Sequence, residues 1–224
     1  MDNARAEAIK AYTAVLPPFT LGSDQDMPGI SHELLEEMSK RSGVAIDIEY
    51  LPWKRAQAVA QTTPNALLFT TSRTASRETT YTWIAEMIVA NEVFATTSGA
   101  VNSVDDARSL KRIATLGGTP REKYLLELGF ADLQSTTDTA TAARLLTGGR
   151  VDAWYTFNQR VLHAVKEAGI DPNTIIIGAP VRSSHMWLAA NAEFDAAVAD
   201  KLAQALAEMR SDGTYDVIVN KYVN

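Results

Sequence analysis

The chain predicts an α/β protein of two lobes, each about half of its 224 residues, and three observations carry that prediction. Short apolar runs alternate with stretches whose apolar residues recur at helical spacing, which is the pattern of an α/β fold. The alternation pauses near Glu92 to Gly99 and then resumes, dividing the chain. Each half also places a loop rich in hydroxyls, glycines or arginines directly after an apolar strand, and in open α/β sheets ligands bind outside the carboxyl ends of strands.

Composition removes several function classes. Hydrophobic content of 46% and charged content of 21% are ordinary for a globular chain. A formal net charge of -6 argues against nucleic acid as a partner, so any anion site must be a local basic cluster. With no cysteine, a disulfide framework, a thiolate nucleophile and a Cys-based metal site are all excluded. His32, His163 and His185 are too scattered for a metal centre, and neither metal nor cofactor is expected. No apolar run approaches the roughly 18 residues needed to span a bilayer. The amino terminus, MDNARAEAIK, lacks the apolar core of a signal peptide. The expectation is therefore a cytosolic protein or one whose leader has been removed.

In the first half, Ala8 to Ala14 reads as a strand that Leu16-Pro17-Pro18-Phe19 cannot continue. Asp24 to Gly29 is a turn cluster, and Ile30, Leu34, Leu35 and Met38 form a helical stripe ending at Gly43. Val44, Ile46, Ile48 and Tyr50 alternate with Ala45, Asp47 and Glu49, the period of a strand. Pro52 then opens a helix at the position where a missing N–H costs nothing. Ala66 to Phe69 is a short buried strand, which completes β-α-β-α-β.

That strand runs into the loop expected to matter most. Thr70, Thr71, Ser72, Arg73, Thr74, Ser76 and Arg77 gather five hydroxyls and two guanidiniums. If the loop turned helical, Arg73 and Arg77 would sit four apart and repel by a few tenths of a kcal/mol, a cost that a bound carboxylate would reverse. The alternative is a solvated polar loop in which Arg77 pairs with nearby acids.

In the second half, Tyr81 to Ile84 and Met87 to Thr97 read as extended, and Ser103 to Asp106 is a capping box that starts a short helix. Ile113 to Leu116 is a strand leading into Gly117-Gly118-Thr119-Pro120-Arg121-Glu122. Thr119 as cap, Pro120 at the first helical position and Glu122 three residues after the cap fix a helix start there. The free backbone N–H groups and the positive end of the helix dipole make an anion cradle, with Arg121 in its first turn. The alternative is a well-capped helix and nothing more. Helices follow at Glu122 to Leu128, Thr139 to Thr147 and around Val161 to Val165; strands follow at Val151 to Tyr155, Ile175 to Ile177 and Met186 to Ala190. Phe194, Val198, Leu202, Leu206 and Met209 mark a long amphipathic helix, and Tyr215 to Val223 a last short one. Trp83, Trp154 and Trp187 are expected in packing roles.

Taken in order, Leu16-Pro17-Pro18-Phe19, Gly29-Ile30, Arg41-Ser42-Gly43-Val44 and Ser72-x-Thr74-x-x-Arg77 resemble the first lobe of periplasmic solute-binding proteins of the polar amino-acid ABC-transporter family. Gly118-Thr119, Leu145-x-x-Gly148-Gly149-Arg150-Val151-Asp152-Ala153 and Met209-x-x-Asp212-Gly213-Thr214-Tyr215 resemble its second lobe and tail. The resemblance implies a type II periplasmic-binding-protein fold. Each lobe would be a mixed sheet flanked by helices, with a ligand cleft between the lobes that closes on binding. Lobe 1 would be residues 1–93 completed by 191–224, and lobe 2 residues 94–190.

By the same resemblance Arg77 grips a ligand carboxylate, Thr70 and Ser72 hydrogen-bond it, and Thr119 and Arg121 reach it from the other lobe. Trp53 falls where the family often places an aromatic that stacks on the ligand. The family usually carries an aspartate for the ligand's ammonium group, and the matching position here is Phe157, followed by Asn158. That departure, with Arg55 and Arg73 in addition, points to a more anionic solute than a standard α-amino acid. The implied role is a periplasmic, monomeric receptor that delivers a small carboxylate to a membrane permease and catalyses nothing. Two rivals are an enzyme resembling cyclohexadienyl dehydratases, with Glu86, Glu92 or His185 as general acid, and the sensor domain of a membrane receptor kinase.

Overall fold

The computed structural model describes residues 8–223, so the reading of residues 1–7 at the amino terminus lies outside the described residues. The chain divides into two compact units. The first holds the described residues up to Val89 and from His185 onward, and the second is Ala90–Ser184.

The first unit is built on strands β1 (Ile9–Thr13), β2 (Ile46–Tyr50), β3 (Leu67–Ser72) and β9 (Arg182–Ala190), the last arriving from the second unit. β1 lies between β2 and β3, parallel to both, and β3 pairs antiparallel with β9. Helix α1 (Ile30–Ser42) packs on α7 (Ala196–Ser211) and α8 (Thr214–Val223), while α2 (Trp53–Thr62) lies on β1 and β3. The stripe read from the sequence is the buried face of α1, with Ile30, Leu34, Leu35 and Met38 at most 1% exposed. Gly43 closes that helix at φ 69°, a conformation costly for other residues. Gly29 precedes it at φ 114°, where a Cβ would lie 2.6 Å from the carbonyl oxygen of Phe19, so only glycine fits. Pro52 stands as the cap of α2, not as its first residue, with its carbonyl accepting from the backbone N–H of Arg55 and Ala56.

The second unit contains β4 (Thr82–Thr96), which enters from the first, together with β5 (Ile113–Leu116), β6 (Leu133–Thr136), β7 (Ala153–Phe157) and the short β8 (Ile176–Ile177). β7 pairs antiparallel with β4 and parallel with β5, which pairs parallel with β6. Both units are thus mixed sheets with helices, as the sequence predicts. Helices α3 (Val104–Ala107), α4 (Pro120–Glu127), α5 (Thr139–Thr147) and α6 (Asn158–Glu167) complete this unit. Its core is Trp154 with Ala142, Leu146, Val161 and Val165, and Tyr155 with Phe94 and Leu125.

Two elements differ from the sequence reading. The extended pieces at 81–84 and 87–97 are one strand of 15 residues. β6, LQST, has no counterpart among the expected strands, because only Leu133 and Thr136 turn inward and the segment is too polar to show a period.

Candidate functional site

In the second unit two helices begin at the ends of neighbouring parallel strands. α4 follows β5 and α6 follows β7, so both amino termini lie at the carboxyl edge of one sheet. The start of α4 is fixed as the sequence predicts. The Thr119 hydroxyl accepts from the Glu122 N–H at 3.5 Å and donates to the Leu116 carbonyl at 2.7 Å. Glu122 reaches back to the Gly118 N–H at 2.7 Å and also to the Ser135 hydroxyl. The Thr119 side chain is therefore committed to the turn, and the Glu122 carboxylate to Gly118 and Ser135.

Arg121 is only 5% exposed, and its guanidinium lies 4.0 Å from the centre of the Phe157 ring. Its Nε is buried without a hydrogen-bond partner, and Arg121 makes no side-chain hydrogen bond or ion pair among the described residues. Burial pushes its pKa down to about 10, against the opposing pull of Glu92, and it remains a cation at neutral pH. Arg160, in the first turn of α6, is 2% exposed and lies 5.3 Å from the same ring. Burial and then the charge of Arg121 push it down to about 9. Phe157, read from the sequence as a missing acid, is thus the flat partner of two buried cations. Arg160 is not among the residues the sequence singles out, although it follows β7 more closely than Arg121 follows β5.

The acid near this cluster is held by other groups. Glu92, 1% exposed, accepts from the Tyr155 hydroxyl at 2.6 Å and from the Ser184 hydroxyl, and lies 3.4 Å from Arg182 Nε. Burial of the Tyr155 phenol, and then the charge of Glu92, push it far above its ordinary range.

In the first unit the strand-end residues are arranged differently from a single arginine cluster. β3 continues through Thr70, Thr71 and Ser72, but its register with β9 shifts between Leu68 and Thr71. At that irregularity Thr70 adopts φ 61°, a conformation rare for a β-branched residue, and its buried hydroxyl has no hydrogen-bond partner. Arg77 is half-buried and turns inward. It donates to Thr71 Oγ1 at 3.3 Å, the Ser72 carbonyl at 3.1 Å and Gln57 Oε1 at 2.9 Å. Burial lowers its pKa. Gln57, one turn after Trp53 on α2, was not anticipated, since no local pattern distinguishes it from any polar helical residue.

Arg73 is directed elsewhere. It forms a two-pronged ion pair with Glu78, Nε to Oε2 at 3.0 Å, which holds the Glu78 carboxyl below the usual carboxylate range. Its guanidinium also lies 4.7 Å from the Trp187 ring and 5.4 Å from the Trp83 ring. Trp53 opens α2 and packs, half-buried, against the core of Tyr12, Leu68 and Tyr81. Arg55 is exposed and makes no side-chain hydrogen bond or ion pair among the described residues. Of the histidines, His32 stacks on Tyr50 and bonds its hydroxyl at 2.8 Å, burial lowers the pKa of His163, and His185 Nδ1 lies 2.6 Å from Glu86 Oε2.

The structure thus groups Arg77, Ser72 and the strained Thr70 around β3, with Trp53 opening the helix that carries Gln57, and groups Thr119, Arg121 and Phe157 around β5 and β7. Arg55 joins neither set through a side-chain hydrogen bond. Two cavities within the units lie away from these residues: one of about 410 Å³ beside His32 and Ile48, and one of about 190 Å³ beside Phe130 and Asp132.

Three solved structures of similar fold span nearly all of the chain. A histidine kinase sensor domain with similarity to periplasmic binding proteins aligns at TM-score 0.80 and 19% identity, covering 97% of this chain and 96% of its own. The ligand-binding core of GluR0 from Nostoc punctiforme, in complex with L-glutamate, aligns at TM-score 0.80 and 20% identity, covering 96% and 98%. An ancestral amino acid-binding protein, a precursor of cyclohexadienyl dehydratase, aligns at 0.78 and 19%, covering 97% and 95%. No curated protein matches by sequence. Residues 9–224 match the model of the bacterial extracellular solute-binding proteins, family 3, and the chain belongs to that family.

Proposed function

We propose that this solute-binding chain captures a small carboxylate-bearing molecule, an amino acid or related anion, and presents it outside the cytoplasm to the permease of an ABC transporter. Arg121 carries the reading. A guanidinium that is 5% exposed without a hydrogen-bond or ion-pair partner among the described residues has lost its water without gaining a direct bond to a counter-charge. Such burial costs several kcal/mol, and a bound carboxylate would offset it through charge-assisted hydrogen bonds. The first unit carries its own strand-end set, Arg77, Thr70 and Ser72, with Trp53 as an aromatic face. The neighbour bound to L-glutamate supports a carboxylate solute.

A thermal-shift screen tests this directly, because a ligand at 100 times its dissociation constant adds about 2.7 kcal/mol to folding stability. Neutral and acidic amino acids and simple carboxylates should raise the melting temperature, and Arg121→Met should abolish the shift. Stabilisation by lysine or arginine, with none by carboxylates of net negative charge, would overturn the proposal.

One observation favours an enzyme as second reading. His185 and Glu86, both considered as proton donors on sequence grounds, form a 2.6 Å pair next to the strand position of Arg73. Incubation with prephenate and arogenate, followed by ultraviolet absorbance of the aromatic product, decides it. Turnover well above the uncatalysed rate would replace the receptor reading.

A further inference from the structure

Trp83 and Trp187 carry a feature that packing does not explain. Their rings meet edge to face at 6.2 Å and 78°, and each is only half-buried, yet the Nε1–H of each is buried without an acceptor. A buried indole N–H normally finds a partner, because leaving it unsatisfied costs about 1–3 kcal/mol. A third unsatisfied polar atom, the Thr70 hydroxyl, belongs to the residue beside Thr71, which pairs directly with Trp187 across β3 and β9. Two indole N–H groups without partners therefore meet on β4 and β9 of the first unit, and Trp187 pairs with Thr71, whose hydroxyl accepts from Arg77.

The surroundings keep the two indoles in place. Tyr81 packs its edge on Trp83 at 5.7 Å, and Arg73 lies over both indole rings while Glu78 fixes its guanidinium. The rings are held by cation–π and edge-to-face contacts, which need no hydrogen bond from either Nε1–H. What the indoles lack is an acceptor, and each N–H would meet one at the edge of its ring, in the ring plane.

We propose that Trp83 and Trp187 determine specificity by donating hydrogen bonds to an acceptor-bearing group of the solute, such as a side-chain carboxylate or amide. This rests on the proposed capture of a carboxylate solute and adds the chemistry of a further group of that solute. A site built to donate hydrogen bonds rejects an analogue lacking the acceptor, because its own donors are then left buried and unpaired.

Calorimetry with glutamate, glutamine and norvaline on the whole chain tests the inference, since the three share an amino-acid head and differ in the side-chain acceptor. Glutamate or glutamine should bind at least about tenfold tighter than norvaline. Trp83→Phe and Trp187→Phe keep an aromatic ring and remove the N–H, so each should erase that preference while the melting temperature stays level or rises. Equal affinity for all three ligands in the parent chain, or an undiminished preference in both folded variants, would overturn the inference and leave carboxylate capture standing. No binding of any amino acid or simple carboxylate by the parent chain would instead remove the reading beneath it. If one Phe variant is unstable, the other alone decides through the norvaline comparison.

Discussion

Arg73 and Arg77 of the first unit and Arg121 of the second face opposite situations. In the first, Arg77 is bonded to Thr71, Ser72 and Gln57, and Arg73 is paired with Glu78, so the loop that looks most like an anion site satisfies much of its own basic charge. In the second, Arg121 is more deeply buried and has no such partner among the described residues. Arginine content after a strand is therefore a poor guide by itself. What matters is whether the neighbouring sequence supplies an acceptor, as Glu78 and Gln57 do in one unit, or turns its acid to the backbone, as Glu122 does in the other.

The largest expected effect comes from exchanging each of these arginines for a residue of similar length. Arg121→Met should cost roughly 2–5 kcal/mol of carboxylate binding, because the ligand then loses a desolvated charge-assisted partner. Its unliganded stability should hold or rise, since a buried charge without a partner has been removed. Arg77→Met should instead lower unliganded stability by about 1–3 kcal/mol, because Gln57 and Thr71 lose their donor. Calorimetry and denaturant titration of both variants check the pair. Unfolding of Arg121→Met, with Arg77→Met as stable as the parent, would reverse the comparison.

A smaller effect is expected from the backbone. The second unit holds its tension in a buried charge, and the first holds some in Thr70, whose φ of 61° is unfavourable for a β-branched residue by about 1–3 kcal/mol. Thr70→Gly removes that strain and an unsatisfied hydroxyl, against an entropic cost of about 0.5–1 kcal/mol. The net expectation is a gain of about 1 kcal/mol in stability together with weaker ligand binding. Asn65, at φ 53° before the same strand, provides the control, because asparagine tolerates that region. Asn65→Gly should change neither quantity measurably. A Thr70→Gly variant that is less stable and binds normally would show that the strain has no bearing on the site.

Much of this was legible in the sequence where short-range chemistry decides. Thr119, Pro120 and Glu122 specify a helix start among themselves, and the stripe of α1 specifies its buried face. The placement of Arg121 after β5 followed from those local signals. The partners of Arg73 and Arg77 did not, because a polar loop is compatible with many rotamers and the deciding groups lie up to 20 residues away in Gln57 and further still in Trp187. Thr70 was readable as a hydroxyl but not as a bulge, since its left-handed backbone arises from the register between β3 and β9, and that pairing joins residues more than a hundred positions apart. Arg160 needed only the rule already applied to Arg121. It was hidden because the resemblance directed attention to the acid missing at Phe157.

The smallest effect tests whether Arg73 belongs with Arg77 or is a latent version of Arg121. Its guanidinium sits between the Glu78 carboxylate and the two indole faces, at the surface, where ion pairs contribute little and are screened by salt. Glu78→Gln keeps the shape of the side chain and removes its charge. The melting temperature should not change measurably, because the cation–π contacts remain and water replaces the carboxylate. Affinity for an anionic solute should rise by less than about fivefold, and the gain should fade as salt is added, since it reflects local field rather than a new contact. A gain of a hundredfold or more that survives high salt would mean that Glu78 had been withholding Arg73 from the ligand. Arg73 would then be available to the ligand as Arg121 is, and the difference between these two arginines would reduce to one removable carboxylate.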